Sequence, residues 1–217
     1  CPAGRVPPTD AAARFERAPI ARAPSGRARA VVGTAAAAEL YARWAADYDR
    51  DVFEVAGVTG TRQIAALLAD HVDDRTATVI DLGCGTGAAG RHLREHGFTT
   101  IDGVALSPEM LELARATGAY RRLEVADLTR SLPFAPASFD ASIAAGVFTA
   151  GHLGASVVAP LVHLVRPGGV LAWVVADPVW PSVAPELRRA GADPRVTEHA
   201  SIRRDAPPEA WLVLARV

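Results

Sequence analysis

The sequence contains no lysine: all 23 of its basic residues other than the six histidines are arginines. They are balanced by 24 acidic residues, giving a formal net charge of −1. No broad cationic footprint for nucleic acid or an anionic membrane is present, and neither partner is expected on this ground. No apolar run reaches the ~18 residues of a membrane-spanning helix. The N-terminal stretch lacks the apolar core of a signal peptide, and its arginines occur without the serine enrichment of a transit peptide. Two distant cysteines, Cys1 and Cys84, make no disulfide framework, which points to a reducing cytoplasm. The histidines are scattered without metal-ligand spacing, so no metal is expected. The first residue is Cys rather than Met, so the sequence is expected to open at a processed or engineered end.

What is present is a chain that is half apolar, enough for a sizeable core. Its reliance on Ala, Gly, Pro and Arg points to a GC-rich, bacterial coding sequence. Residues 1–32 are rich in Pro, Ala and Arg, lack an apolar period, and read as a poorly ordered tail. Residues 33–217 read as one domain, with cap helices over 33–75 and a sheet core over 76–217. In the first helix, from Thr34, the residues Leu40, Tyr41, Trp44 and Tyr48 recur at three and four to give one apolar, aromatic face. A second helix runs through QIAALLADHV, with Thr59 or Thr61 as its cap.

Strands and helices then alternate. TATVIDLG is a continuous apolar run, as in a strand buried on both faces. Residues 88–96 form a helix that Gly97 stops. TTIDGVAL is the second strand. Ser107 caps a helix with Pro108 at its first position and Gly118 at its end. RRLEVAD and FDASIAAG are the third and fourth strands. Residues 152–166 read as a helix, and Pro167-Gly168-Gly169 turns into the fifth strand, VLAWVVA. RVTEHASIRR and EAWLVLARV close as an antiparallel pair. The alternation predicts a doubly wound, mostly parallel α/β sheet.

The first strand enters DLGCGTGAAG, residues 81–90. Glycines 83, 85 and 87 permit a tight turn and a close approach to a ligand, and the following helix offers unpaired N–H groups. Gly85, Gly87 and Gly90 fit a dinucleotide fingerprint, which is weak by itself. Asp81 decides: a carboxylate beside the loop repels a pyrophosphate but suits the ammonium of an amino-acid moiety. D-x-G-x-G-x-G therefore favours S-adenosylmethionine and disfavours an NAD-dependent reductase.

VIDLGCGTG, GVALSPEMLELA, VADLTRSLPF, FDASIAAGVFTAGHL and LVRPGGVLAWVV follow in order over residues 37–177. Together they resemble the class I S-adenosylmethionine-dependent methyltransferases. With YARWAADYD upstream, the set is most similar to the methyltransferase-like subfamily named for the Williams–Beuren region. The resemblance implies a Rossmann-like seven-stranded sheet, with S-adenosylmethionine as cofactor and S-adenosylhomocysteine as product. It implies that Asp81, Gly83, Gly85 and Gly87, with Tyr48, surround the methionine part. Leu106 and Met110 would pack on the adenine, Asp127 followed by Leu128 would receive its amino group, and Ala145 would border the site. Strand two of the family normally reads G-V-D-L-S, its acid holding the ribose. Here it reads Gly103-Val104-Ala105-Leu106-Ser107. Asp102 lies three positions earlier, an odd offset that points to the other face. Losing the charged acceptor should cost ~1.5–3 kcal/mol, roughly one to two decades of affinity.

A methyl donor of this kind is already activated, so the protein mainly aligns the acceptor and excludes water. His152, in GVFTAGHL after strand four, is the candidate base. Tyr41, Trp44, Phe148, Thr149, Asp177 and Trp180 are expected to line the acceptor pocket. The short interval after strand five favours a small-molecule acceptor. Two alternatives stand beside methyl transfer, both motivated by Ala105: a non-methylating enzyme of secondary metabolism such as a cyclase, and a noncatalytic binding domain. Ala105 itself reads as natural tolerance of weak binding, a deliberate substitution, or a fold turned to another task. The oligomeric state is open.

Overall fold

Val79, Ile80, Asp81 and Leu82 are all buried, although adjacent strand residues point to opposite faces. Such a strand needs helices on both sides, and it has them. The computed structural model describes residues 34–217; the expected tail over 1–32 lies outside the described residues. Helix α1 (Thr34–Asp49) runs into a π-helical turn (Arg50–Val55) and then α2 (Gly60–Ala69). There follow β1 (Thr78–Leu82), α3 (Ala88–Glu95), β2 (Thr100–Ala105), α4 (Pro108–Ala116), β3 (Arg122–Val125) and β4 (Phe139–Phe148). A 3-10 turn (Ala155–Val157), α5 (Val158–Val162), β5 (Val165–Ala176), α6 (Trp180–Arg189), β6 (Asp193–Ala200) and β7 (Ala210–Arg216) complete the described chain.

The seven strands stand in the order β3-β2-β1-β4-β5-β7-β6. The first five are parallel, and β7 pairs antiparallel with both β5 and β6. The expected Rossmann-like sheet with an antiparallel closing pair is therefore present. Its two faces make two cores. Ile80, Leu82, Phe148 and Trp173 pack with Leu161, Val183 and Leu187 of α5 and α6. Val79, Ile101, Ile143 and Leu212 pack with Ile64, Leu68 and Leu93 of α2 and α3. Chain order reverses at β1, which has β2 on one side and β4 on the other. Such a reversal opens a crevice beyond the carboxyl ends of the strands.

Several local features differ from the sequence reading. Residues 152–166 are not one helix: Thr149 to Gly154 fold back, with the His152 N–H on the Thr149 carbonyl and the Leu153 N–H on the Val147 carbonyl. Gly151, at φ 84°, makes that bend. Strand β5 begins at Val165, not after the Pro-Gly-Gly turn. A register shift between Phe139 and Ala141 absorbs those residues. A side chain at Gly169 would stand 2.5 Å from the Asp140 carbonyl. Helix α6 is additional. Pro181 and Pro185 disguise it, but Pro181 sits in the first turn, where a missing N–H costs nothing, and Val183 and Leu187 bury one face four residues apart. Thr59 makes no side-chain cap on α2, whereas the Ser107 hydroxyl does cap α4, accepting from the Met110 N–H at 3.2 Å.

Candidate functional site

A cavity of about 380 Å³ opens in the crevice beside β1. Its walls are the glycine loop (Gly83, Gly85), the end of β2 and start of α4 (Ala105, Leu106, Ser107, Met110), and the segment after β3 (Ala126, Asp127, Leu128, Thr129). The end of β4 and its loop (Ala145, Gly146, Val147, Gly151, His152, Leu153) and one side of α1 (Ala37, Tyr41, Tyr48) complete it.

The glycines divide into two jobs. A side chain at Gly85 would meet nothing within 4 Å, so its backbone (φ 54°) is presented to open cavity. At Gly83 a side chain would strike Val147 at 2.1 Å. Gly87, Gly90 and Gly103 instead make room for one phenol: a Cβ on each would stand 3.1, 2.3 and 2.9 Å from the Tyr120 ring. The Tyr120 hydroxyl accepts the Gly90 N–H at 3.1 Å and donates to Asp81 at 2.6 Å. Gly87 and Asp81, both expected around the methionine part, are thus placed behind the loop and do not line the cavity. Asp81 is 1 % exposed. Burial pushes its carboxyl up to about 7, against the opposing pull of the Tyr120 hydrogen bond. No period in the sequence marks Tyr120; the third glycine of the fingerprint, which signals close packing, was its one trace.

Ala105 lines the cavity yet is only 6 % exposed, and it packs with Cys84 and Leu111. Asp102 lies on the same strand under a two-pronged grip from Arg121, at 2.9 and 2.8 Å, and does not line the cavity. One Asp127 oxygen accepts both the N–H and the hydroxyl of Thr129, at 2.8 and 2.7 Å, so this residue closes a turn as well as facing the cavity.

Of the expected acceptor residues, Tyr41 and the base candidate His152 meet. The Tyr41 hydroxyl lies 3.0 Å from His152 Nε2, and the Thr149 hydroxyl 2.7 Å from its Nδ1. Burial pushes the Tyr41 phenol up to about 12. It raises Tyr48 as well, with Tyr41 and Asp49 adding to the effect. Trp44, Phe148, Thr149, Asp177 and Trp180 do not line the cavity. Trp44 turns inward and donates to Asp51 at 3.0 Å. Phe148 stacks on Trp173 in the core. The Asp177 N–H bonds the Glu209 carbonyl, which draws the chain toward β7. There Asp177 accepts from or pairs with His199 at 2.9 Å, and Trp180 stacks on Trp211.

Helix α1 is fastened to the loop by a separate set of bonds. Thr86 donates to one oxygen of Asp49, and Arg91 reaches the other at 3.2 Å. Among the described residues no cluster of ligating side chains is arranged for a metal ion, and no helix is long and apolar enough to cross a membrane.

A glycine loop at the strand-order reversal of this sheet, with β7 antiparallel between β5 and β6, defines a Rossmann-like nucleotide-binding architecture. Residues 80–173 match the methyltransferase domain family. Human methyltransferase-like protein 27 is 34% identical over 160 residues, spanning 70% of this chain and 63% of that protein. Over residues 80–173 the expected likeness to the class I S-adenosylmethionine-dependent methyltransferases is thus met, while the chain spans less than two thirds of that human protein's length. Bovine 18S rRNA (guanine-N(7))-methyltransferase is 35% identical over 71 residues, 33% of this chain and 25% of that protein. The fold is shared with the 1,6-didemethyltoxoflavin-N1-methyltransferase of Burkholderia thailandensis, solved with S-adenosylhomocysteine. That match has a TM-score of 0.64 and 22% identity over 86% of this chain and 90% of that one.

The rRNA methyltransferases correct one expectation. A nucleic-acid partner was excluded on net charge, and that exclusion does not hold when relatives of this domain are named for an RNA substrate. Net charge describes the chain as a whole. It does not describe the surface next to the cavity, or surfaces that other parts of a longer protein supply.

Proposed function

We propose that the protein transfers a methyl group from S-adenosylmethionine to a small-molecule acceptor. The observation that carries this reading is the cavity at the β1 reversal, with the open Gly85 backbone on one side and the Tyr41–His152 pair on the other. The residues fit the cofactor at most points. Gly83, Gly85 and Tyr48 would hold the methionine end, with Asp81 acting through the loop from beneath. Leu106, Met110, Leu128 and Ala145 would enclose the adenosine, and Asp127 would face its amino group. The ribose would lack the usual carboxylate at Ala105, so affinity in the micromolar to millimolar range is expected. The bound cofactor would supply an electrophilic methyl group. The chain's own part is to align the acceptor against it, keep water out by closing α1 over the site, and accept a proton at His152. The lack of a disulfide framework supports a cytoplasmic enzyme and the composition a bacterial one, while Ala105 is what favours a place in secondary metabolism.

The relatives named for 18S rRNA favour a second reading, methylation of an RNA base. One experiment addresses both. The protein is titrated calorimetrically with S-adenosylmethionine and S-adenosylhomocysteine, then assayed for S-adenosylhomocysteine release with phenolic, amine and thiol acceptors and with rRNA. Gly85→Val is the control, because a branched side chain at φ 54° would fill the cavity and strain the turn. Unchanged affinity in folded Gly85→Val would defeat the cofactor assignment. Binding without product would turn the reading toward a non-methylating enzyme or a binding domain.

A further inference from the structure

The His152 imidazole is engaged at both nitrogens, and one partner comes from an element 111 residues away. Thr149, on its own loop, meets Nδ1, and Tyr41 of α1 meets Nε2. Tyr41 and His152 both line the cavity. The Tyr41 hydroxyl occupies Nε2, so an acceptor in the cavity meets that nitrogen by way of Tyr41 or by displacing it. A phenol is a more acidic donor than an alkyl hydroxyl, so the better pairing has Tyr41 donating to Nε2 and Nδ1–H donating to Thr149. We propose that Tyr41 is a catalytic residue that receives the acceptor's proton while passing its own to His152, and that the acceptor is accordingly a neutral hydroxyl of phenolic acidity.

The proposal rests on the methyl-transfer reading above and specifies its acceptor. The acceptor O–H bond breaks, its proton going to the Tyr41 oxygen as the Tyr41 proton goes to His152 Nε2. The acceptor oxygen forms its bond to the methyl group, and the electron pair of the breaking methyl–sulfur bond remains on sulfur. His152 ends as the imidazolium, steadied through Nδ1–H by Thr149. A tyrosine held protonated by burial, up to about 12, does not serve as a free phenolate base; it takes a proton only by giving one up. A phenolic acceptor, ordinarily at about 10, stands closer to Tyr41 in acidity than an aliphatic hydroxyl does, so its proton is the more readily handed over. An acceptor that is already anionic has no proton to hand over and gains nothing from the relay.

The test uses the intact protein and Y41F. Imidazole 15N NMR without cofactor should show His152 neutral, with its proton on Nδ1, and its Nε2 signal should move when the Tyr41 hydroxyl is removed. A proton on Nε2 reverses the relay and overturns the proposal. S-adenosylhomocysteine formation is then compared with 4-methylphenol, neutral at pH 8, and 4-nitrophenol, largely ionised there. Y41F should lower kcat with 4-methylphenol by ~10²-fold, the scale of a lost proton-transfer group, and leave 4-nitrophenol nearly unaffected. His152→Gln should reproduce this acceptor dependence, and calorimetric S-adenosylhomocysteine affinity should hold in both variants. Equal losses with the two phenols would make Tyr41 a wall residue and overturn the relay alone. A wild-type protein that binds cofactor but methylates no acceptor would overturn the methyl-transfer reading, and the relay with it.

Discussion

Ala105 is where a single side chain carries the most consequence. It borders the cavity and also packs with Cys84 and Leu111, so an acid there meets two demands. Ala105→Asp should raise affinity for S-adenosylmethionine and S-adenosylhomocysteine together by ~1–3 kcal/mol, the range for hydrogen bonds to a charged group. It should also lower the melting temperature of the cofactor-free protein, because the carboxylate is partly desolvated. Calorimetry and thermal denaturation measure the two effects separately. Asp81 gives a pH prediction. Its carboxyl titrates near 7 when folded and near 3.9 when unfolded. Between those values the folded protein holds a proton the unfolded chain has lost. Asp81 therefore contributes stability that is full below about pH 4 and is lost as pH rises through 7. Asp81→Asn stays neutral throughout. Denaturant unfolding at a series of pH values should show its stability, relative to wild type, rising from pH 4 to 8 by up to about 4 kcal/mol. A flat difference would mean that Asp81 is ionised in the fold. At this scale the sequence disclosed the glycines and the missing acid, since both are departures from, or matches to, a local pattern. It did not disclose that Gly87 and Asp81 turn away from the cavity, because Tyr120, which occupies the space behind them, is 30 or more residues distant along the chain.

Elements bring their own lesson. Helix α1 forms one wall of the cavity and packs against α4; among the described residues its side-chain bonds to the site run from Asp49 to Thr86 and Arg91, and from Tyr41 to His152. Asp49→Ala should loosen α1 selectively. Hydrogen exchange should quicken in residues 34–49, cofactor affinity should fall a few-fold, and global stability should change by only ~1 kcal/mol, as expected for half-exposed polar contacts. Uniform exchange across α1 in variant and wild type would mean that the aromatic packing of Trp44 and Tyr48 holds it alone. The period of Leu40, Tyr41, Trp44 and Tyr48 announced this helix. It did not say which of the four would enter the cavity, since Trp44 rotates to reach Asp51. Helix α6 escaped the reading because two prolines outweighed the spacing of Val183 and Leu187. The helix was read from residue 152, and that reading missed the bend that Gly151 makes to deliver His152.

For the molecule as a whole, the succession of strands and helices was legible where a βα unit carried both of its boundaries in sequence: a buried run, a cap, a stop. The acceptor pocket was not, because it is assembled from chain separated by a hundred residues. A ligand that binds only the folded state stabilises it by mass action. At a concentration of 100 times its dissociation constant, S-adenosylhomocysteine should add ~2.7 kcal/mol. For a domain of this size that raises the melting temperature by roughly 5–10 °C. Differential scanning fluorimetry reads this directly; an unshifted midpoint at saturating ligand would argue against the cavity as its site.

The glycines around Tyr120 bear on how such chains drift. Gly87, Gly90 and Gly103 are needed by a side chain of the protein itself. A lineage that abandoned its small-molecule partner would still be obliged to keep them in order to fold. Gly85, whose surroundings are open, would be held by its φ of 54° alone, a backbone conformation that Asn or Asp can also adopt. In descendants of this chain, an intact fingerprint would therefore record an inherited packing constraint, and the fate of that single glycine would reveal whether the old trade had been given up.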